Sequence, residues 1–574
     1  MNDLRRPGAP VRELTPRAIV TAIVVAALLG AAEPAVVLKI GYGPNMSVVS
    51  AFLGFIAISL VGLVTGARGT RFENNLVQTA GTAAASGVGF MAVVLAAIDL
   101  LNQRGLMDLH LSTLQIFAWL APAGLLGVLL AVPLRKHYID QENLTFADGT
   151  AAGETLLVLD EGPKEAGPRV AALAAGGGLS ALLTVLRDGF AALPSHVAFR
   201  FLSPHADALR LGSELGVLSL GAGLLIGLRV TLSMGLGMVL AWVIAPEPLF
   251  ARGLVPALTF NAVLQRWIMW PATGLMVAGG LAALALKWRV IAKTFRGLGG
   301  KEAADGGDFP MRWVLWGALA AGVTLALVQK ISLGFPLWLS AVSLALSLLL
   351  MLVGIRVLGE TNWAPISAMA NVMQAVFAVL APGHLPINMV GSGMSGAVAA
   401  NGEHLMQDYR AGKIVGSTNR NLTYLQLIGV PVGAIAVAIS YPLLRDKYGI
   451  GGEGGLTSPI SVKWAGFAEL LAAGFGTLPS SAMAALVLSV GIGVVLTLLE
   501  ARLGKWVPSP TAIGLGMLIP GFAVFPMLVG GVAQAVWRRA SPLTEAVYDV
   551  PLASGFITGE ALVLLTLAVV AAAS

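Results

Sequence analysis

Apolar runs long enough to cross a bilayer recur from one end of this chain to the other, and no other feature constrains its fold as strongly. A hydrocarbon core about 30 Å thick needs roughly 20 apolar residues of helix. Stretches such as 16–40, 46–66, 113–135, 335–358 and 480–500 meet that length. Of the 574 residues, 56% are hydrophobic and only 11% are charged, with a mean hydropathy of +0.82. A soluble domain carries roughly 25% charged residues. Lipid offers no partner to backbone N–H and C=O groups, so runs of this length read as helices. The expectation is an all-α, polytopic membrane protein of about sixteen transmembrane segments, some of them broken or re-entrant. The 70 glycines suit both close helix packing and broken helices around a site.

The net charge of +6 sits mainly in short loops, where it sets topology and does not build a nucleic-acid surface. Cysteine is absent, so disulfides and thiolate metal sites are excluded. The one long polar segment runs from Lys287 to Arg312 and holds six basic residues, with Gly299-Gly300 and Gly306-Gly307. The positive-inside rule puts it, and the N-terminus, in the cytoplasm. Arg5, Arg6, Arg12 and Arg17 before an apolar run imitate a signal peptide, but the same element recurs mid-chain, which argues against cleavage.

That recurrence divides the chain. Arg17 opens a run ending in Lys39-Ile40, followed by Gly41 and Pro44; Arg312 opens one ending in Lys330-Ile331, followed by Gly334 and Pro336. Asn75-Leu76-Val77-Gln78 and Asn371-Val372-Met373-Gln374 come next at near-equal spacing. The organisation expected is a cytoplasmic tail at 1–16, a first transmembrane repeat at 17–286, a basic linker at 287–311 and a second, parallel repeat at 312–574. Segment 142–160 is too polar to face lipid, and Trp506-Val507-Pro508-Ser509-Pro510-Thr511 interrupts the second half late. Paired interruptions of this kind mark a transporter's site.

Polar residues concentrate between Glu403 and Lys413, including Glu403, His404, Gln407, Asp408 and Arg410. Leu405-Met406-Gln407-Asp408-Tyr409-Arg410-Ala411-Gly412, with Gly416-Ser417 after it, resembles the L-M-Q-D-[FLY]-[KR]-x-G element of the oligopeptide transporter (OPT) family, which includes the yellow stripe-like branch. Arg71-Phe72-Glu73-Asn74-Asn75-Leu76-Val77-Gln78-Thr79 is similar to that family's R-x-E-N-x-x-x-Q-T element. Leu220-Gly221-Ala222-Gly223 and Trp506 to Thr511 resemble its Y-x-G-A-G and W-x-P-x-P regions. These elements span residues 71 to 511. The hydrophilic tails of eukaryotic members and the proline-rich signature of the peptide branch are not evident, so the resemblance is to a prokaryotic member in a bacterial inner membrane. It implies proton-coupled import of small peptides, peptide-like compounds or metal chelates.

Asn75, Gln78 and Thr79, with Asn371 and Gln374, are candidate solute contacts, because a spacing of three places each Asn and Gln on one helix face. Asp148, Thr150 and Gln407 join them; a solvated loop or a cytoplasmic helix end, with Glu403 and Asp408 paired to Arg410 and Lys413, is the alternative. Glu33, Glu73, Asp148 and Glu154 are the proton-coupling candidates, ahead of Glu403 and Asp408, whose basic neighbours hold a carboxyl charged. Glu73 also suits a helix N-terminus. Gln78, Thr79, Asp148, Thr150, Gln374 and Gln407 are expected to share one polar cavity. The six histidines show no metal spacing and read as loop residues, so no metal, cofactor or catalytic residue is assigned. No P-loop is present, because Glu302 follows Gly299-Gly300-Lys301. A secondary active transporter is the leading reading; a membrane-embedded hydrolase or a channel for small polar solutes is the alternative. A homodimer is compatible with the sequence.

Overall fold

The computed structural model describes residues 13–40, 46–161, 167–286, 308–451, 456, 458–472, 474 and 478–573. The tail before residue 13 and most of the basic linker, residues 287–307, fall outside the described residues. The first half contains α1 (Pro16–Ile40), α2 (Ser47–Thr65), α3 (Arg71–Gln103), α4 (Thr113–Leu134), α5 (Ala147–Glu161), α6 (Gly167–Gly189), α7 (Leu218–Ile226), α8 (Leu228–Ala251) and α9 (Phe260–Leu286). The second contains α10 (Met311–Leu333), α11 (Leu337–Thr361), α12 (Ile366–Leu380), α13 (Leu385–Val415), α14 (Asn419–Tyr448), α15 (Pro459–Ala472), α16 (Ser480–Leu503), α17 (Pro510–Leu518), α18 (Gly521–Ala540) and α19 (Pro542–Ala573). Among the described residues, twelve helices are long and apolar enough to cross a membrane. The all-α, polytopic reading therefore holds.

Three local features of these elements have physical causes. The run 209–226 is not one helix: a small antiparallel hairpin, β1 (His196–Ala198) with β2 (Gly212–Glu214), takes its first residues. The polar segment 142–160 is helical from Ala147, and it is polar because α13, α19 and α2 bury it, not because it is broken. The run 509–537 is two helices, separated at Ile519-Pro520. Helices α7 and α17 each have nine residues, about 13 Å of rise, which is less than half a bilayer core. Each is followed by a break in the helix, at Gly227 with φ +87° and at Pro520.

The packing of the two halves is reciprocal. Helix α1 lies on α14 and α10 on α4; α6 lies on α19 and α16 on α9; α7 lies on α18 and α17 on α8. Glycines permit the closest of these approaches. A Cβ at Gly223 would lie 2.1 Å from the carbonyl oxygen of Met527, and one at Gly516 would lie 2.1 Å from that of Met234. Gly530 meets Leu220 and Gly237 meets Ile513 in the same manner. The four contacts form two pairs related by one constant sequence offset. Each half thus hands helices to the other.

Candidate functional site

Helix α13 is the axis of the molecule. It runs for 31 residues and is buried along nearly its whole length, although Asn388, Ser392, Ser395, Asn401, Glu403, His404, Gln407 and Asp408 line it. It does not qualify as an apolar span, and it tolerates those residues because protein surrounds it on every side. The helices α3, α4, α5, α11 and α12 pack directly against it.

Two of these helices are shaped to meet it. In α3 a π-helical turn, Ala83–Val88, breaks the regular bonding ladder and frees carbonyl groups. Asn401 Nδ2 donates to Gly87 O at 3.0 Å. Helix α5 presents its N-terminus, where backbone N–H groups lack helical partners. Gly149 N donates to Gln407 Oε1 at 2.6 Å, and Asp148 N donates to Asn362 Oδ1 at 2.9 Å. Asn362 Nδ2 in turn donates to Asp148 Oδ1 at 2.8 Å. Glycine is required at position 149, because a Cβ there would sit 2.3 Å from the Gln407 carbonyl oxygen. The chain entering α5 is strained, with Asn143 at φ +49° and Phe146 at φ +43°.

A polar network closes on α13 from α3 and α14. Gln78 Nε2 donates to Asp408 Oδ1 at 2.6 Å and to Thr82 Oγ1 at 3.0 Å, while Asn75 Nδ2 donates to Gln78 Oε1 at 2.9 Å. Gln426 Nε2 donates to the other Asp408 oxygen. Asp408 is thus held by two amides and by no cation. Beside it, several buried polar atoms have no protein partner: both oxygens of Glu403, His404 Nδ1, Gln407 Nε2 and Gln426 Oε1. Buried groups of this kind are rare in native proteins and call for a bound solute, water or proton.

Comparison with known proteins fits this geometry. The family profile described as OPT oligopeptide transporter protein matches residues 13–571. The chain belongs to the OPT oligopeptide transporter family. It is 22% identical over 638 residues to the metal-nicotianamine transporter YSL2 of Arabidopsis thaliana, covering 98% of this chain and 93% of that protein. It is 24% identical over 570 residues to a Haemophilus influenzae protein that carries an oligopeptide-transporter name, covering 88% and 87%. With the yeast protein YGL114W of Saccharomyces cerevisiae, which carries the same kind of name, it shares 26% over 411 residues, 59% of this chain and 56% of the yeast one. The chain is a multi-pass membrane transporter and not an enzyme.

The residues singled out from the OPT transporter's sequence divide into groups. Asn75, Gln78, Asp148, Thr150 and Gln407 all lie around the C-terminal half of α13. Thr150 Oγ1 accepts from Arg410 Nε at 3.2 Å. Thr79 is buried beside them, and its hydroxyl donates to Asn75 O at 2.9 Å. Asn371 and Gln374 do not join this group. Asn388 Nδ2 donates to the Gln374 carbonyl at 2.6 Å, and Asn388 stands 19 residues before Gln407, about 28 Å along the same helix. Asn371 faces Met269 Sδ at 3.2 Å. The two Asn-x-x-Gln elements therefore sit at opposite ends of α13, and Gln374 lies apart from Gln78, Thr79, Asp148, Thr150 and Gln407.

The carboxyl candidates also separate. Glu73 closes a capping box with Thr70 and binds Arg17 at 2.6 Å, fastening α1 to α3. Glu154 pairs with Arg169. Glu33 is buried against Gly89 with both oxygens unpartnered. The pairing of Glu403 and Asp408 with Arg410 and Lys413 does not occur: Arg410 reaches Asn143 at 2.8 Å and Lys413 reaches Asp140 at 3.3 Å. Asp408 and Arg410, two residues apart, point to different faces, and Arg410 lies two turns beyond Glu403, so nearness in sequence is not nearness in space. Of the histidines, His137 and His404 are buried and not in solvated loops. Among the described residues no group of three or more His, Asp or Glu could hold a metal ion.

Sequence reasoning missed the Arg356 cluster. Arg356 Nη1 binds Glu142 Oε2 at 2.6 Å, and its Nη2 binds Glu360 Oε1 at 2.8 Å. Glu360 Oε2 accepts from Ser509 at 2.9 Å and Thr511 at 2.6 Å. His137 Nε2 lies 3.0 Å from Glu142 Oε1. The two polar segments noticed in the sequence, near 142 and 509, are thereby linked through one arginine of α11. A lone basic residue in an apolar run was the available signal, because such a charge must be paired.

Proposed function

We propose that this OPT transporter is a proton-coupled importer of small peptides, peptide-like compounds or metal chelates in a bacterial plasma membrane, with its N-terminus in the cytoplasm. The observation that carries the reading is the unmet hydrogen-bonding capacity between α13 and α14, where Gln407, His404 and Glu403 of α13 and Gln426 of α14 leave buried polar atoms without partners. Peptides and chelates present carboxylates, amides and amines, which suit such a surface. Metal-nicotianamine transport by the Arabidopsis relative and the names of the yeast and Haemophilus relatives support that solute range. The positive-inside rule supports the orientation. The reciprocal packing of helices supports two parallel repeats beginning near Arg17 and Arg312.

Proton coupling needs a carboxyl group free to gain and lose a proton as access alternates. Of the four candidates, Glu33 is the one buried without a partner, so it ranks first. Asp148 lies nearest the amide cluster. Glu73 and Glu154 are engaged by arginines and serve the architecture.

A melting-temperature screen of the purified protein with alanyl-alanine, glutathione and Ni(II)–nicotianamine tests the solute class. A ligand at 100 times its Kd adds about 2.7 kcal/mol to folded-state stability. At least one probe is expected to raise the melting temperature, and its uptake into proteoliposomes to rise with an inward proton gradient. Uptake that saturates without responding to the gradient would exclude coupling by protons; no shift and no uptake with all three would exclude the solute range.

A further inference from the structure

We infer that Glu403 is a proton-carrying side chain of the transport cycle. This rests on the proton-coupled reading above and names a residue outside the four carboxyls considered there. Glu403 projects from the middle of the polar half of α13 and is completely buried. Both of its oxygens lack any hydrogen-bond partner, and no Lys, Arg or His lies within ion-pair reach of it among the described residues. Its neighbour across the interface is Gly354 of α11, where a Cβ would fall 2.2 Å from Glu403 Oε1, with the Met369 thioether packed on the same spot. The absent side chain at Gly354 makes the space that the carboxyl occupies.

The charged groups on elements around α13 are committed elsewhere. On α11, Arg356 is shared by Glu142 and Glu360, and His137 contacts Glu142. On α5, Glu154 holds Arg169 and Asp148 bonds Asn362. On α3, Glu73 holds Arg17, and Asp99 accepts from Tyr441 of α14. On α15, Glu469 holds Arg104 and Lys463 lies over Phe260. On α13 itself Asp408 is held by Gln78 and Gln426, Arg410 and Lys413 point to other partners, and His404 faces the Ser86 carbonyl. None of these supplies a counter-charge to Glu403.

A carboxylate in such a place has lost its water and gained nothing in return. A proton on either oxygen removes the charge. The cycle this implies is simple in atoms. One proton from the outer aqueous phase adds to a Glu403 oxygen when the site opens outward. It leaves to inner water when α11 and α13 separate and water reaches the Gly354 side. No other bond forms or breaks.

The test uses the full chain in lipid nanodiscs at neutral pH. Infrared spectra should show the carbonyl stretch of a protonated acid, and Glu403→Gln should remove a component of it. Glu403→Asp, which keeps a titrating group one methylene shorter, should shift that component. The aspartate variant serves where the glutamine variant does not fold, and melting temperature reports which case applies. A folded Glu403→Gln protein that keeps the whole band overturns the assignment, as does a folded Glu403→Asp protein whose band does not move. In proteoliposomes, gradient-driven uptake of Ni(II)–nicotianamine by Glu403→Gln should collapse while exchange stays measurable. Gradient-driven uptake equal to the wild type's would overturn the proposal and leave the coupled reading standing. Wild-type uptake indifferent to the gradient would remove that reading, and this role for Glu403 with it.

Discussion

Two sets of buried carboxyl groups in this protein are built in opposite ways. At the end of α11, Glu142 and Glu360 flank Arg356 at 2.6 and 2.8 Å, with Ser509, Thr511 and His137 completing the shell. Along α13 and α1, Glu403 and Glu33 have neither cation nor hydrogen-bond donor among the described residues. The first arrangement fixes charge and with it the relation of α11 to the segment before α5 and to the start of α17. The second leaves charge unsupported, and the proposed proton coupling rests on groups of that kind. The proposed coupling belongs to the second kind, because an unpartnered carboxyl has more to gain from a proton than one already paired.

The largest expected effect lies in the satisfied cluster. Arg356→Met would leave two buried carboxylates facing each other, and removing one partner of a buried pair costs about 3–5 kcal/mol. The expected outcome is a large loss of melting temperature and of protein recovered from membranes. If Arg356→Met is as stable as the wild type, the cluster is not the clamp described here.

A smaller effect is expected where α5 meets α13. Gly149→Val would drive a side chain into the Gln407 carbonyl, 2.3 Å from an added Cβ, and overpacking of this kind costs about 1–3 kcal/mol. Helix α5 would lift, and Gln407 would lose its bond from Gly149. Reduced solute-induced stabilisation, measured with the probe that shifts the wild type, is the expected readout. Unchanged stabilisation would place solute away from this contact.

The smallest concerns Glu214, at the end of β2 and outside the spans. Burial pushes its carboxyl up to about 7, with the nearby Glu560 adding to the rise and Ser219 and Arg187 opposing it. A raised folded-state value means that the folded protein holds this proton more tightly than the unfolded chain. The stabilisation is therefore full below about 4.5 and is lost as pH rises through about 7. Melting temperature should fall over that window, and Glu214→Gln should flatten the slope. A slope that survives the substitution would assign it to another group.

Much of the fold was legible because lipid imposes a simple rule. Runs such as 113–135, 335–358 and 480–500 lie within a few residues of α4, α11 and α16. The rule fails where protein replaces lipid as the surroundings. Helix α5 read as interrupted because Asp148, Thr150 and Glu154 make it polar, yet α13, α19 and α2 bury it. The site was legible in part for the same reason. Gln78 and Gln407 stood out as amides among apolar neighbours, and both meet partners on other helices. Glu403 was discounted because Arg410 and Lys413 are near in sequence, although helix geometry directs them to Asn143 and Asp140. Which carboxyl finds a cation is a tertiary fact. Arg17 stands 56 residues from Glu73, and no local pattern announces the pair.

The contrast between satisfied and unsatisfied carboxyls is tested most directly by one paired measurement. Glu73→Gln and Glu154→Gln would be set beside Glu33→Gln, each assayed for melting temperature and for gradient-driven uptake against exchange of the same probe in proteoliposomes. The account predicts that the first two lose stability but keep their response to the proton gradient. It predicts that Glu33→Gln keeps its stability and loses that response. Loss of gradient dependence in Glu73→Gln or Glu154→Gln at unchanged stability, with Glu33→Gln behaving as wild type, would contradict it.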